Sequence, residues 1–155
     1  MTRLQIFITF IFIYGSTCSQ NFSFNDKVFN VGQTHICWHI GFTVGQGGLD
    51  SIYSKPTLDS ILKFLSDNPN LKIEIGQHSD NRGKPDLNLV LSQKRAESIN
   101  DYFIKKGINA SRLTNKGYGQ TKPFLTKEQE LERKRTSHPP QFPRNSRTTL
   151  TIIAT

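Results

Sequence analysis

The sequence predicts an α+β fold in which helices pack on one sheet, and two periodicities carry that prediction. Residues 71–78 place Leu71, Ile73 and Ile75 on alternate positions with Lys72, Glu74 and Gly76 between them, the two-residue repeat of a strand with one buried face. Residues 55–67 and 86–106 repeat their apolar side chains at helical spacing instead. The two patterns alternate as strand, helix, strand, helix, strand, helix, strand, which implies a sheet covered by helices. With 155 residues and 35% hydrophobic content, the chain is expected to form one domain behind a short leader.

In chain order, residues 1–19 combine Arg3, an apolar run over 6–14 and the small residues Gly15, Ser16, Thr17 and Ser19. That is the layout of a secretory signal peptide, its apolar part too short for a membrane span of roughly 20 residues. Cleavage is expected before Gln20. Lipidation at Cys18 is the less favoured route, because Gly15, Ser16 and Thr17 lack the aliphatic residue and the final Gly or Ala of a lipobox. Residues 20–30 are a polar, Asn-rich lead-in with phenylalanines, expected to tether a domain spanning 31–155.

Residues 31–42 read as the first strand, with Ile36, Trp38, Ile40 and Phe42 on one face. The glycine-rich run Gly45, Gln46, Gly47, Gly48 is followed neither by GK[ST] nor directly by a helix, so it does not read as a phosphate loop. The helix over 55–67 buries Leu58, Ile61, Leu62 and Leu65 and stops before Asn68 and Pro69. The strand over 71–78 runs into Ser79 and Asp80, and residues 81–85 supply turn chemistry. Asp86 is the expected N-cap of a helix reaching about Lys106, with Gly107 as its stop. On that helix Asn88, Ser92, Arg95, Ala96, Ile99 and Phe103 share one face, polar at its N-terminal end and apolar at its C-terminal end. Ile99 and Phe103 therefore pack on the sheet, while Asn88 and Arg95 project towards the strand end that carries Asp80. A third strand is expected over 112–118, a charged helix over 126–137 broken at His138, Pro139 and Pro140, and a last strand over 148–154 with Leu150 and Ile152 on one face.

The order His78-Ser79-Asp80, then Asn88, then Leu91, Ser92, Arg95 and Ala96, then Arg112, Leu113, Gly117, Tyr118, Gly119 and Pro123 closely resembles the OmpA-like (OmpA/MotB C-terminal) peptidoglycan-binding domain, from about Ile36 to the C-terminus. The resemblance implies an α/β sandwich of order β-α-β-α-β-(α)-β with helices on one mixed sheet. It also implies that Asp80 and Arg95 grip the diaminopimelate of a peptidoglycan stem peptide. The free amino-acid centre of that ligand carries one ammonium and one carboxylate, which an anion and a planar cation held apart can take together. Asn88 and Ser79 would add neutral hydrogen bonds, and His78 would support the strand end. The chain departs from the family pattern at Ser79, where threonine is usual, at Gln77, where glycine is usual, at Ser146, which replaces one of two paired arginines, and in the 43–49 loop.

The net charge of +8 raises nucleic acid as a partner, but basic residues alternate with Glu128, Glu130 and Glu132 and no aromatic platform adjoins a basic groove in the motifs, so nucleic-acid binding is not expected. No catalytic set emerges: glycan hydrolysis needs two placed carboxylates, and only Asp80 is placed at the cleft. His35 and His39 would need a helix to come together as metal ligands and lie instead in a strand pattern, which sets them about 13 Å apart, while Cys37 reads as a buried inert thiol. Neither metal nor cofactor is expected. Two readings follow: a non-catalytic peptidoglycan-binding domain of the Gram-negative envelope, exported to the periplasm and associated with the outer membrane or cell wall through a possible outer-membrane protein partner, or a scaffold of the same fold that has lost the ligand. For Asp80 and Arg95 the residues alone also permit a plain structural salt bridge.

Export by residues 1–19 has a direct consequence for mass. Intact-mass analysis of envelope material should find Gln20 as the first residue; a diacylated Cys18 would show that the other peptidase acts.

Overall fold

The computed structural model describes residues 21–43, 47–135 and 145–155, and the expectations for residues 1–20 and for the 138–140 break lie outside them. The described chain forms β1 (Thr34–Cys37), β2 (Gly41–Phe42), β3 (Leu49–Asp50), α1 (Lys55–Asp67), β4 (Lys72–His78), α2 (Pro85–Lys105), β5 (Leu113–Gly119), α3 (Lys127–Arg135) and β6 (Arg147–Ala154). Four strands make one sheet in the order β1-β6-β4-β5, with β4 and β5 parallel and the other neighbours antiparallel. The expected α+β architecture with a mixed sheet is therefore present, and the parallel pair is joined by the α2 crossover that such a pair requires.

The core lies between the sheet and the first two helices. Leu58, Ile61 and Leu65 of α1, Ile99 and Phe103 of α2, Ile73 and Ile75 of β4 and Leu150 and Ile152 of β6 are all completely buried. Each such side chain contributes on the order of 1.5–3 kcal/mol relative to exposure. The helical period of α1 also buries Phe64, while Leu62 is only partly covered. At the far end of α1, Arg112 donates from Nη2 to the carbonyls of Leu65 (2.8 Å) and Asn68 (2.7 Å) and from Nε to that of Leu71 (3.0 Å). Its guanidinium satisfies carbonyls that the end of a helix leaves without partners. Arg112 thus sits in a short 3-10 turn before β5 rather than in the strand.

Three other local expectations change. The strand expected over 31–42 is interrupted: β1 ends at Cys37, opposite Thr148, and β2 leaves the main sheet to pair with β3. The Ser54 hydroxyl accepts the Gly41 N–H at 2.8 Å, anchoring the chain where it turns away. Trp38 consequently leaves the shared face and meets Phe124 edge-on at 5.6 Å. Next, α2 starts at Pro85 with Lys84 as N-cap, because the fixed φ of proline suits the first helical position; Asp86 falls in the first turn, where a carboxylate complements the helix dipole. Finally, the lead-in does more than tether. Phe22 is buried, its ring 5.4 Å from that of Phe64, and its carbonyl lies 2.8 Å from His35 Nδ1.

The contact that places α2 is made almost backbone to backbone. Ser92 Oγ accepts the Gly119 N–H at 2.8 Å and Gln93 Oε1 accepts the Gly117 N–H at 2.7 Å. A Cβ at Gly117 would lie 2.3 Å from the Gln93 nitrogen, closer than any side chain tolerates. Gly117→Ala must therefore push α2 away from β5. A loss of about 2–3 kcal/mol is expected, read as a fall of roughly 10 °C in thermal melting.

Candidate ligand-binding cleft

Asp80 follows the end of β4, and the turn after it is folded around its carboxylate. Asp80 Oδ2 accepts from Arg82 Nη2 (2.7 Å) and Nε (3.0 Å), and Oδ1 accepts the Arg82 backbone N–H at 3.2 Å. Asn88, one turn into α2, donates from Nδ2 to the carbonyls of Arg82 (2.8 Å) and Asp80 (3.3 Å). The amide nitrogen of Asn88 is thus used to clamp this turn onto the helix. Arg82 is exposed, so its pairing with Asp80 is open to competition from solvent and solutes.

Arg95 lies two turns further along α2, half-buried, with its guanidinium carbon 5.0 Å from the Phe42 ring centroid. Its Nε is buried without a hydrogen-bond partner. Burial pushes the Arg95 pKa below its usual value, and the negative charge of Asp80 opposes that push. The two predicted residues are therefore within electrostatic reach of each other. The helix next to Arg95 is covered by the β2–β3 arm: a Cβ at Gly47 would fall 2.5 Å from Lys94 Cβ, so only glycine permits this approach. Residues 44–46 of that loop lie outside the described set.

Ser79 lies elsewhere. It lines a cavity of about 320 Å³ together with Asn81, Gln120, Pro123, Leu125, Thr126, Lys127, Glu130 and Asn145, between the β4–α2 turn and α3. The structure thus associates Asp80, Asn88 and Arg95 on the α2 side of the turn and gives Ser79 to this neighbouring cavity. Gln77 is accommodated by burial, its amide donating to Thr148 Oγ1 across the β4–β6 pair. Two contributors were not singled out from sequence. Arg82 pairs with Asp80 only through the turn conformation, although its two-residue spacing from an aspartate was visible, and Phe42 reaches Arg95 only because the first strand breaks.

His78, beside this site, is buried. Its ring stacks on Tyr118 at 4.9 Å and its Nε2 is 3.2 Å from Thr149 Oγ1. Tyr118 in turn donates to Glu74 Oε1 at 2.5 Å, and burial followed by that carboxylate raises its pKa to about 12. Cys37 is also buried, which pushes its thiol up to about 12 and leaves it unreactive. Among the described residues no group of three His, Cys, Asp or Glu side chains is arranged to hold a metal ion, and no helix is long and apolar enough to cross a membrane.

Comparison with known proteins agrees with this architecture. The model of the OmpA family matches residues 42–137. A peptidoglycan-associated lipoprotein of Buchnera aphidicola subsp. Baizongia pistaciae is 35% identical over 100 residues, covering 63% of this chain and 57% of its own length. The chain thus spans little more than half of that curated relative. Among solved structures, the cell wall anchor of the T6SS from Pseudomonas aeruginosa superposes with a TM-score of 0.55 at 25% identity, over 74% of this chain and 75% of its own. The peptidoglycan-associated lipoprotein from Burkholderia pseudomallei gives 0.53 at 17% identity over 77% and 91%, a likeness of fold.

The buried imidazole has a consequence for acid stability. His78 has its pKa lowered from 6.5 to about 3, first by burial and then by the charges of Arg147 and Lys122. Between those values the unfolded chain binds a proton that the folded chain refuses, so stability drains as pH falls through this window and is retained above it. His78→Gln should flatten the dependence of melting temperature on pH between about pH 7 and about pH 4, measured against the parent protein.

Proposed function

Since the chain belongs to the OmpA family, we propose that it is a non-catalytic peptidoglycan-binding module of the Gram-negative envelope that grips the diaminopimelate centre of the stem peptide through Asp80 and Arg95. The observation that carries this reading is the state of Arg95. Half-burial disfavours the charge on Arg95, and a ligand carboxylate on the open part of its guanidinium would offset that cost with a charge-assisted pair. A salt bridge serving only to hold helix to strand fits less well, because the Asp80 carboxylate takes two donors from Arg82 within its own turn.

In this reading the ligand carboxylate binds Arg95 over Phe42, and the ligand ammonium competes with exposed Arg82 for Asp80. Asn88 keeps the Asp80 turn in register with the helix. The chain acts on the periplasmic side of the envelope, exported by residues 1–19 and held near the cell wall or outer membrane, with an outer-membrane protein as possible partner. Binding rather than catalysis fits a site that sets the Asp80 carboxylate among the guanidiniums of Arg82 and Arg95.

Asp80→Ala, Arg95→Ala and Arg95→Lys separate gripping from scaffolding. All three are expected to melt close to the parent protein yet bind diaminopimelate-containing muropeptide about ten- to hundredfold more weakly, the size of a lost charge-assisted hydrogen bond. Arg95→Lys belongs with the others because an ammonium lacks the two-pronged contact to carboxylate. Isothermal titration alongside thermal melting checks this. Parent protein that fails to bind would leave the alternative, a scaffold of the same fold that has lost the ligand.

A further inference from the structure

The two faces of the main sheet meet different surroundings. Ile73, Ile75, Leu150 and Ile152 point to the helix layer and are completely buried. Alternation along each strand sends Glu74, Gly76 and His78 of β4, Arg147, Thr149, Thr151 and Ile153 of β6 and Lys116 and Tyr118 of β5 to the opposite face. Contacts across the strands agree with that assignment: the hydroxyls of Thr34 and Thr151 meet at 3.1 Å, and His78 Nε2 reaches Thr149 Oγ1. Lys116, Ile153 and, just past the end of β1, Trp38 are exposed there.

A row of rings and cations crosses one end of this face, visiting all four strands in their spatial order. Trp38, next after β1, meets the Phe124 ring edge-on; Arg147 of β6 holds its guanidinium carbon 5.4 Å from the Phe124 centroid; His78 of β4 stacks on Tyr118 of β5. Lys122 Nζ lies 4.1 Å and Lys116 Nζ 5.1 Å from the Tyr118 centroid. Both lysines are exposed, and among the described residues neither makes a salt bridge. Glu74, the carboxylate nearest this row, accepts the Tyr118 hydroxyl. The row is held in place from beneath. Arg147 donates to the carbonyls of Lys122 (3.1 Å) and Asn145 (2.9 Å), pinning the loop that carries Lys122 and Phe124, and a Cβ at Gly76 would lie 3.1 Å from the Tyr118 ring, so glycine lets that ring lie flat across β4.

Two exposed ammonium groups beside exposed Trp38, Phe124 and Ile153 call for a partner that is anionic and apolar at once. The boundary of a bilayer containing anionic lipids has that composition, with phosphate charges outside and acyl chains beneath, and tryptophan and lysine both favour that depth. A single-stranded nucleic acid fits less well: Tyr118 already has His78 and two cations against its ring, which leaves no open face for a base. Arg95 stands on α2, on the other side of the sheet, so a membrane on this face leaves it reachable.

We propose that the open face of the sheet docks the domain on a membrane surface carrying anionic lipid headgroups, with Lys116 and Lys122 meeting the headgroup phosphates and Trp38 and Phe124 entering the boundary layer. This inference goes beyond the reading of Asp80 and Arg95 and does not depend on it.

Trp38 is the single tryptophan of the chain, so its fluorescence reports the contact without a label. The chain beginning at Gln20, which contains every described residue, is titrated with vesicles of phosphatidylcholine alone and with vesicles that also contain phosphatidylglycerol. The anionic vesicles should shift Trp38 emission to shorter wavelength and shield it from an aqueous quencher, and the neutral ones should do neither. Lys116→Gln combined with Lys122→Gln should weaken vesicle binding about tenfold or more, since each lysine near an anionic surface is worth roughly fivefold. Lys105→Gln combined with Lys106→Gln, an equal loss of charge at the end of α2, should change it less than about twofold, and all variants should melt with the parent. Unchanged Trp38 emission on anionic vesicles, a Lys116 and Lys122 variant that binds them as the parent does, or an equal loss from the α2 pair would overturn the proposal. So would a parent that ignores the vesicles and binds a single-stranded oligonucleotide through the same lysines. Muropeptide titration of the same samples tests Asp80 and Arg95 separately, so failure of either reading is visible by itself.

Discussion

The approach of α2 to β5 is the constraint on which the rest of the structure depends. Two glycines, Gly117 and Gly119, let the helix backbone reach the strand backbone, and two side chains from adjacent helix positions, Ser92 and Gln93, tie it down. Side chains project from a helix at fixed angles, so this seating also determines where Arg95, one turn later, can point. Parallel pairing of β4 with β5 brings the end of β4, and with it Asp80, to the same edge. The approach of Asp80 and Arg95 is thus a by-product of how a crossover helix is seated.

That geometry creates an electrostatic imbalance which the fold by itself does not relieve. Arg95 is drawn into a place where burial disfavours its charge, with an aromatic face and a nearby carboxylate as partial compensation. Asp80, by contrast, is well supplied with donors from an exposed arginine. One member of the pair is short of partners and the other has a replaceable one. A zwitterion satisfies both conditions where a simple anion or cation satisfies one.

Much of this was legible in the sequence because it depended on local periodicity. The alternate Ile73 and Ile75 of β4, the helical face running from Asn88 to Phe103 and the alternate Leu150 and Ile152 of β6 all survive in the structure, whereas Gly76, Gln77 and His78 bury both faces of β4 at its end, which the alternation did not announce. What was not legible depended on partners distant in the chain. The apolar alternation over 31–42 looked like one strand, but its second half found β3 instead of β6. The side on which Ser79 falls, and the pairing of Asp80 with Arg82, are decided by a turn whose conformation no period encodes. Arg112 sits in a recognisable motif, yet its task of closing the end of α1 spans more than 40 positions.

The strand order carries a kinetic meaning of its own. The last strand in the chain, β6, is inserted between β1 and β4, so the first and second thirds of the domain touch within the sheet only through it. Thr34 pairs with Thr151 and Cys37 with Thr148, contacts between nearly opposite ends of the described chain. Closing so long a loop must precede any gain from the central ladder, which places the domain among slow-folding topologies of high contact order. Until β6 arrives, β1 has no neighbour in this sheet and β4 has one open edge. The sheet therefore stays incomplete until residues 147–154 enter it.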